Sequence, residues 1–171
     1  MKRLLVDMDG VLADVYAQFL KYEKENGIHH NLEDLYGVTE ENAFGRIHEY
    51  VNSERFFIEA PVMANSQRVL EQLNQKYDLF IVSSATEFPN SLTQKMFWLI
   101  QHFPFIEWKQ VVLCGTKQVI KGDIMLDDHF KNLDYFDGEK TLLYTQPHNI
   151  YADCKHHQRV NSWQEVADVL L

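Results

Sequence analysis

The sequence predicts an α/β fold, a parallel sheet flanked by helices with a small helical insertion after the first strand. Two observations predict the sheet. Short, unbroken apolar runs recur along the chain and each ends in polar residues, while the segments between them carry helical spacing. Strands buried on both faces read this way, and such strands belong to parallel sheets covered by helices. A third observation predicts the insertion, since one gap between elements is far longer than a crossover needs.

Leu4-Leu5-Val6 is the first run, entered from two basic residues and closed by Asp7, Asp9 and Gly10. Leu79-Phe80-Ile81-Val82 ends at Ser83-Ser84, and Val111-Val112-Leu113 ends at Cys114-Gly115-Thr116. Ile124-Met125-Leu126 ends at Asp127-Asp128, and Thr141-Leu142-Leu143-Tyr144 is the fifth candidate strand. The first four deliver polar residues at their carboxyl ends, the edge at which open α/β sheets bind ligands. Asn65 stands where it can cap a helix carrying Val69, Leu70 and Leu73. A second helix over 91–103 presents Leu92, Met96, Leu99 and Phe103 and stops at Pro104, with Trp98 and Trp108 packing near its end and the next strand's entrance. The last begins at Ser162, with Trp163, Val166, Ala167 and Leu170 on one face.

From Gly10 to residue 65 the chain shows helical periodicity at 15–26, ending near Gly27, and again at 41–51. A helical insertion over 15–62, folded across the carboxyl edge, accounts for it; residues 1–14 and 63–171 then form the core. Its aromatics include Phe19, Tyr22, Tyr36, Phe44 and Tyr50, which supply a core of their own. Phe56 and Phe57 are adjacent and cannot share one face, so at least one faces the cleft.

The chain has 171 residues, 46% of them apolar, enough for one domain with a sizeable core. Its 16 Lys and Arg against 25 Asp and Glu give a net charge of −9, which argues against DNA or RNA polymers as partners. Two cysteines, Cys114 and Cys154, make no disulfide framework, so a reducing cytoplasm is the expected compartment. The basic start carries aspartates by position 9, unlike a signal peptide, and no run approaches the roughly 20 apolar residues of a membrane span.

Asp7 and Asp9 leave the first strand on the same side while Met8 points away, and Gly10 permits a sharp turn and close approach to a ligand. Paired carboxylates in a low dielectric call for a proton or a cation. Asp127-Asp128 poses the same demand at another strand end, and an all-carboxylate set without interleaved Cys or His suits Mg²⁺. Ser83, Ser84 and Lys117 lie just past buried strands and offer donors to a phosphate. Together they describe phosphoryl transfer, in which one shielded aspartate attacks phosphorus and a second carboxyl group moves protons. Asp14 either belongs with these acids or caps a helix beginning at Val15. His29-His30 and His156-His157 lack the spacing of a helical zinc pair; His129 follows Asp128 directly, and Arg159 reads as a salt-bridge residue.

DMDGVLAD at 7–14, FIVSSAT at 80–86 and GTKQVIKGDIMLDD at 115–128 resemble the signature blocks of haloacid-dehalogenase-type phosphohydrolases, and more narrowly of the 5′(3′)-deoxyribonucleotidase family. RFFIEAPVM at 55–63 and NSWQEV at 161–166 extend the resemblance over nearly the whole chain. It implies a three-layer Rossmann-like core with a helical cap after the first strand. It also implies Asp7 as nucleophile and Mg²⁺ ligand, Asp9 as acid/base with its carbonyl on the metal, Asp128 as a direct ligand and Asp127 in support. Ser83, Ser84 and Lys117 would hold the phosphoryl group, and Phe56 or Phe57 would wall the base or sugar. Ala85 departs from the pattern, standing where such enzymes commonly carry proline. The implied substrate is a small phosphomonoester, a deoxyribonucleoside monophosphate. Other readings are a phosphatase for a sugar phosphate, a receiver-type phospho-acceptor and a catalytically silent nucleotide-binding protein. A receiver domain carries its phosphorylated aspartate after strand three, where this chain has Cys114-Gly115-Thr116.

Overall fold

Six parallel strands form one sheet in a computed structural model that describes Met1–Leu171. In chain order they are β1 (Arg3–Val6), β2 (Asp78–Ser83), β3 (Val111–Leu113), β4 (Ile124–Asp127), β5 (Lys140–Tyr144) and β6 (Gln158–Val160). Their order across the sheet is β3-β2-β1-β4-β5-β6, so the winding direction reverses between β1 and β4. Doubly wound sheets bind ligands in the crevice outside that reversal. β6 lies beyond the five expected strands; it is a three-residue edge element with two polar residues, Gln158 and Arg159, and so carries no apolar run.

Alternation along β1 divides the core. Leu4 and Val6 join the main cluster of 33 buried residues, while Leu5 points to the opposite face with Val82, Met125, Leu133 and Leu143. Three longer helices serve the main face: α4 (Ser66–Lys76), α5 (Ser91–His102) and α7 (Trp163–Leu170). A single short helix, α6 (Phe130–Leu133), and loop residues cover the other. Ser162 caps α7 through the Glu165 N–H at 3.2 Å. Asn65 makes no such cap for α4: it adopts φ +66°, and Ser66 Oγ instead donates to the Met63 carbonyl at 2.7 Å.

The buried face of α5 is rotated from the expected stripe. Gln94, Lys95 and Trp98 point inward beside Leu99, Leu92 and Met96 are only half-buried, and Phe97 and Ile100 are exposed. Trp98 Nε1 donates to the Ala60 carbonyl at 2.7 Å. Trp108, expected to pack, is 80% exposed, because Gln110 of the same turn takes the inward position and donates to Asn74 Oδ1 and the Leu79 carbonyl.

Between β1 and α4 the chain forms α1 (Val15–Glu25), α2 (Glu40–Ala43) and α3 (Ile47–Val51). Gly27, at φ +77°, follows α1, and the periodicity over 41–51 divides at Phe44–Arg46 into two short helices. Exit and return are tied together: Ala13 bridges Val62, Met63 N–H donates to the Leu12 carbonyl and Asp14 N–H to the Pro61 carbonyl. Phe19 packs against Phe44 and Phe56 at 4.7 Å each between ring centres, giving the insertion its own aromatic core. No helix is long and apolar enough to cross a membrane.

Candidate active site

The loop after β1 begins on the sheet. Asp7 N–H donates to the Leu126 carbonyl of β4 at 2.9 Å, which brings the ends of the two strands together. The chain then folds back, with Leu12 and Ala13 N–H donating to the Met8 carbonyl. Trp163 Nε1 locks the turn through the Val11 carbonyl at 2.7 Å. Gly10 is needed twice over: its φ is +76°, and a Cβ there would lie 2.3 Å from Asp128 Oδ2. Asp14 is the helix cap of the two readings, accepting from Ala17 N–H at 2.9 Å.

Asp7, Asp127 and Asp128, all buried, offer carboxylate oxygens within 4.8 Å of one another. Lys117, on the turn after β3, sits between two of them, 2.5 Å from Asp7 Oδ1 and 2.6 Å from Asp127 Oδ2. Asp127 has further donors in Asn132 Nδ2 and the His129 N–H. Burial would raise its pKa, but Lys117 outweighs that and holds it down. Asp7 moves the other way: burial, then Asp127, push its carboxyl well above the ordinary range despite Lys117. Asp128 is likewise raised, chiefly by burial. Burial opposes the charge on Lys117, yet Asp127 and Asp7 hold its pKa above the usual lysine value.

Two buried oxygens here lack any partner: Asp128 Oδ1, within the group of Asp7, Asp127 and Asp128, and Asp9 Oδ1, on the side chain that the acid/base reading leaves free of the cation. An orphaned Asp128 oxygen beside Asp7, whose charge is suppressed by burial, fits a hard divalent cation, which takes oxygen ligands.

On the β2 side, Ser83 is buried and Ser84 half-buried, and both line the same cavity as Asp7 and Asp9. The sequence reading missed Lys95 of α5, which is 2% exposed, 2.5 Å from Asp9 Oδ2 and 2.9 Å from Ser83 Oγ. Its ammonium also lies 4.6 Å from the centre of the Phe57 ring. The signal was present in the spacing, because Lys95 falls three residues after Leu92 and four before Leu99. A lysine on a helix's buried stripe requires a carboxylate partner.

These groups border a cavity of about 200 Å³ between the sheet edge and the insertion. Its apolar wall includes Val15, Phe19, Ile47, Val51, Phe56, Phe57 and Phe88. Phe56 is mostly committed to the insertion's core, packing on Tyr22 as well as Phe19, whereas Phe57 stacks on Phe88 at 6.5 Å and faces Lys95. Gln94 fixes this segment, accepting from Phe57 N–H and Ile58 N–H.

Glu40 enters from the insertion toward a stacked imidazole pair, His129 and His148, whose rings are 4.3 Å apart. Glu40 Oε1 is 3.2 Å from His148 Nδ1 and 3.4 Å from His129 Nε2. Burial would raise the Glu40 carboxyl, but the two imidazoles bring it well below the ordinary range. Burial resists charge on both rings, yet Asp128 and Glu40 prevail, moving His129 up to about 10 and His148 in the same direction. The remaining candidates lie apart from this chemistry. His30 pairs with Glu23, His157 with Thr141 and Asp134, and Cys114 Sγ donates weakly to the Ser83 carbonyl. Arg159 forms no salt bridge, contrary to expectation; it donates to Thr145, Asn149, the Ala152 carbonyl and Cys154 Sγ.

The sequence model for "5′ nucleotidase, deoxy (Pyrimidine), cytosolic type C protein" matches residues 1–171. The chain belongs to this nucleotidase family. It is 35% identical over 179 residues to the 5′(3′)-deoxyribonucleotidases of Bacillus subtilis strain 168 and of Bacillus phage SPbeta, covering 99% of this chain and 99% of each relative. Among solved structures it resembles the haloacid dehalogenase-like hydrolase SP0104 from Streptococcus pneumoniae, with a TM-score of 0.66, 15% identity and coverage of 100% and 99% of the two chains. It also resembles the HAD-hydrolase YfnB from Bacillus subtilis, solved bound to magnesium, with a TM-score of 0.63, 14% identity and coverage of 99% and 98%. The fold is thus haloacid-dehalogenase-like, and this nucleotidase is a phosphatase whose substrate is a small nucleotide.

Proposed function

We propose that this nucleotidase is a Mg²⁺-dependent 5′(3′)-deoxyribonucleotidase, hydrolysing deoxyribonucleoside monophosphates through an aspartyl-phosphate on Asp7. The observation that carries the reading is the placement of Asp7 within 2.5 Å of the Lys117 ammonium and beside Asp128, at the floor of a cavity whose opposite wall is apolar and aromatic. Asp7, Asp9 through its carbonyl, and Asp128 would hold the Mg²⁺, with Asp127 supporting from behind through Lys117 and Asn132. When bound, the cation supplies the positive charge that keeps Asp7 ionised and offsets charge on the transferring phosphoryl group.

Asp7 Oδ attacks phosphorus as the ester P–O bond breaks, and Asp9 gives its proton to the departing nucleoside oxygen. Asp9 then takes a proton from water, whose oxygen attacks the aspartyl-phosphate and releases inorganic phosphate and the Asp7 carboxylate. Ser83 and Lys95, already hydrogen-bonded to each other, and Lys117 are placed to donate to phosphoryl oxygens, with Ser84 at the cavity's edge. Residues 15–62 act as a cap that keeps water from the intermediate. Phe57 and Phe88, with Phe56 behind, offer the base or sugar an apolar face. Such a wall favours a deoxyribose, because a 2′-hydroxyl buried there would lack a partner.

A panel of dUMP, dTMP, UMP, the matching 3′ esters, sugar phosphates and an aryl phosphate tests the reading with Mg²⁺ and with EDTA. Deoxyribonucleoside monophosphates should be hydrolysed fastest and EDTA should abolish turnover. Preference for sugar phosphates, or full activity in chelator, overturns it.

A further inference from the structure

The turn after β5 joins groups that the functional reading leaves unconnected. Gln146 Nε2 donates to the Gly10 carbonyl at 2.5 Å, and Asn149 Nδ2 donates to the Asp128 carbonyl at 2.8 Å. His148 Nε2 reaches that same Asp128 carbonyl at 2.9 Å. One short turn therefore braces both acidic segments, the loop after β1 and the end of β4. Its outward side meets the insertion: Glu40 Oε1 and Tyr16 Oη lie 3.2 and 3.1 Å from His148 Nδ1, and Gly37 N–H donates to the Pro147 carbonyl at 2.8 Å. Both nitrogens of His148 face acceptors, so the ring is a rigid strut with the insertion at one end and the Asp128 backbone at the other.

We infer that Glu40 is a positioning residue through which seating of the insertion is coupled to the divalent-cation site, acting by way of His148 and, beside it, His129. Glu40 makes no hydrogen bond to Asp7, Asp9 or Asp128, although its carboxylate lies within 4.8 Å of the Asp128 carboxylate, and it reaches Asp128 through the imidazoles. It holds the strut, the strut holds the Asp128 carbonyl, and Asp128 Oδ1 is one of the two unpartnered buried oxygens. The arrangement makes cation binding tighter when the insertion is docked and docking firmer when the cation is bound, since such coupling is reciprocal. Three of the groups in the chain, Glu40, His148 and Asp128, are at least four-fifths buried as side chains, so solvent does not short-circuit the contact.

The inference rests on the divalent-cation reading above, and its test does not use turnover. Mn²⁺, a spin probe for this class of cation, is titrated into substrate-free wild type, Glu40→Ala, Glu40→Gln and Glu49→Ala, and backbone hydrogen exchange is followed over residues 40–51. Glu49 pairs with Arg46 on the insertion's exposed side and serves as control. Glu40→Ala should weaken Mn²⁺ binding about tenfold, within the range for residues that orient metal ligands, and speed exchange in α2. Glu40→Gln, which keeps an acceptor oxygen without the charge, should lie between it and wild type, and decides the matter if Glu40→Ala fails to fold. Glu49→Ala should match wild type. Faster exchange with unchanged Mn²⁺ affinity would make Glu40 a structural tether only and overturn the coupling. Failure of wild type to bind Mn²⁺ would overturn the cation reading and the coupling together. Wild type that binds Mn²⁺ and shows the Glu40 effect, yet hydrolyses no nucleotide, would overturn the substrate assignment while upholding the coupling.

Discussion

Replacing Lys117 by methionine removes one ammonium and keeps the length of its stem. The lost contacts are an ion pair at 2.5 Å to Asp7 and another at 2.6 Å to Asp127, among side chains at most 8% exposed. The two carboxylates are not equally dependent on it. Asp127 retains Asn132 and the His129 N–H, whereas Asp7 retains only the Met8 N–H at 2.8 Å. Breaking a buried pair by deleting one partner costs about 3–5 kcal/mol. For a chain of this size that is on the order of 6–20 °C in Tm, at about 2–4 °C per kcal/mol. The charge left on Asp7 raises its carboxyl further, so the folded variant holds a proton that the unfolded chain has released above about pH 4. Wild-type Asp7 is already raised, so both proteins lose stability as pH climbs past the ordinary carboxylate range, and the gap should widen above the wild-type pKa, where only the variant still holds the proton. Thermal and urea unfolding in EDTA measure it. A shift below about 2 °C, or a gap that narrows with rising pH, would refute the assignment of Lys117 as the counter-charge to Asp7.

Asp7→Asn should abolish turnover and yet raise the stability of the metal-free protein above the ordinary carboxylate pH range, because it deletes a buried carboxyl held above its unfolded pKa; the gain should shrink away as pH falls to about 4 in urea titrations. Gly10→Ala forces a Cβ against Asp128 at positive φ, at a backbone cost of about 1–2 kcal/mol. It should weaken divalent-cation binding about 10–100-fold, read by Mn²⁺ titration, and unchanged affinity would place Asp128 outside the site. Lys95→Met should lower kcat by about 10²–10³ while costing only about 1–2 kcal/mol of stability, since Asp9 is 32% exposed and hydrates when unpaired. A large loss of stability with kcat preserved would make Lys95 a structural lysine.

The sequence disclosed those parts of the molecule that follow from unbroken apolar runs and local punctuation. β1, β2, β4 and β5 stand where the runs are, and Asp7, Asp127 and Lys117 meet because strand ends in a parallel sheet share one edge. Elements whose placement depends on tertiary context were hidden. β6 has no apolar run and pairs only because β5 offers an open edge. Spacing sets Lys95 beside the expected α5 stripe, but the turn of the buried face toward Gln94 and Lys95 follows from Asp9, Ser83 and the Phe57 backbone, partners that helical spacing does not name. Glu40 and His148 lie more than 100 residues apart, and neither carries a local pattern that announces the other.

Charge balance joins these parts into one argument. Asp7, Asp9, Asp127 and Asp128 bring four carboxyl groups to the crevice, four negative charges when all are ionised, and Lys95 and Lys117 neutralise two. The residue is what one divalent cation cancels, and the raised carboxyls of Asp7 and Asp128 are the strain it would relieve. At the rim Glu40 is flanked by the imidazoles of His129 and His148, whose pKa values Asp128 and Glu40 raise. An anionic phosphate therefore meets repulsion in the cation-free protein and attraction once the cation is in place. A chain with a net charge of −9 can in this way select a phosphomonoester, because the field that matters is set within a few ångströms by buried groups and only weakly by the screened surface. The same balance explains the division of labour between the lysines. Lys117 stays paired with two buried carboxylates while it borders the cavity, whereas Lys95 is shared between Asp9, a hydroxyl and an aromatic face, partners it can exchange for a phosphoryl oxygen without leaving a buried charge alone.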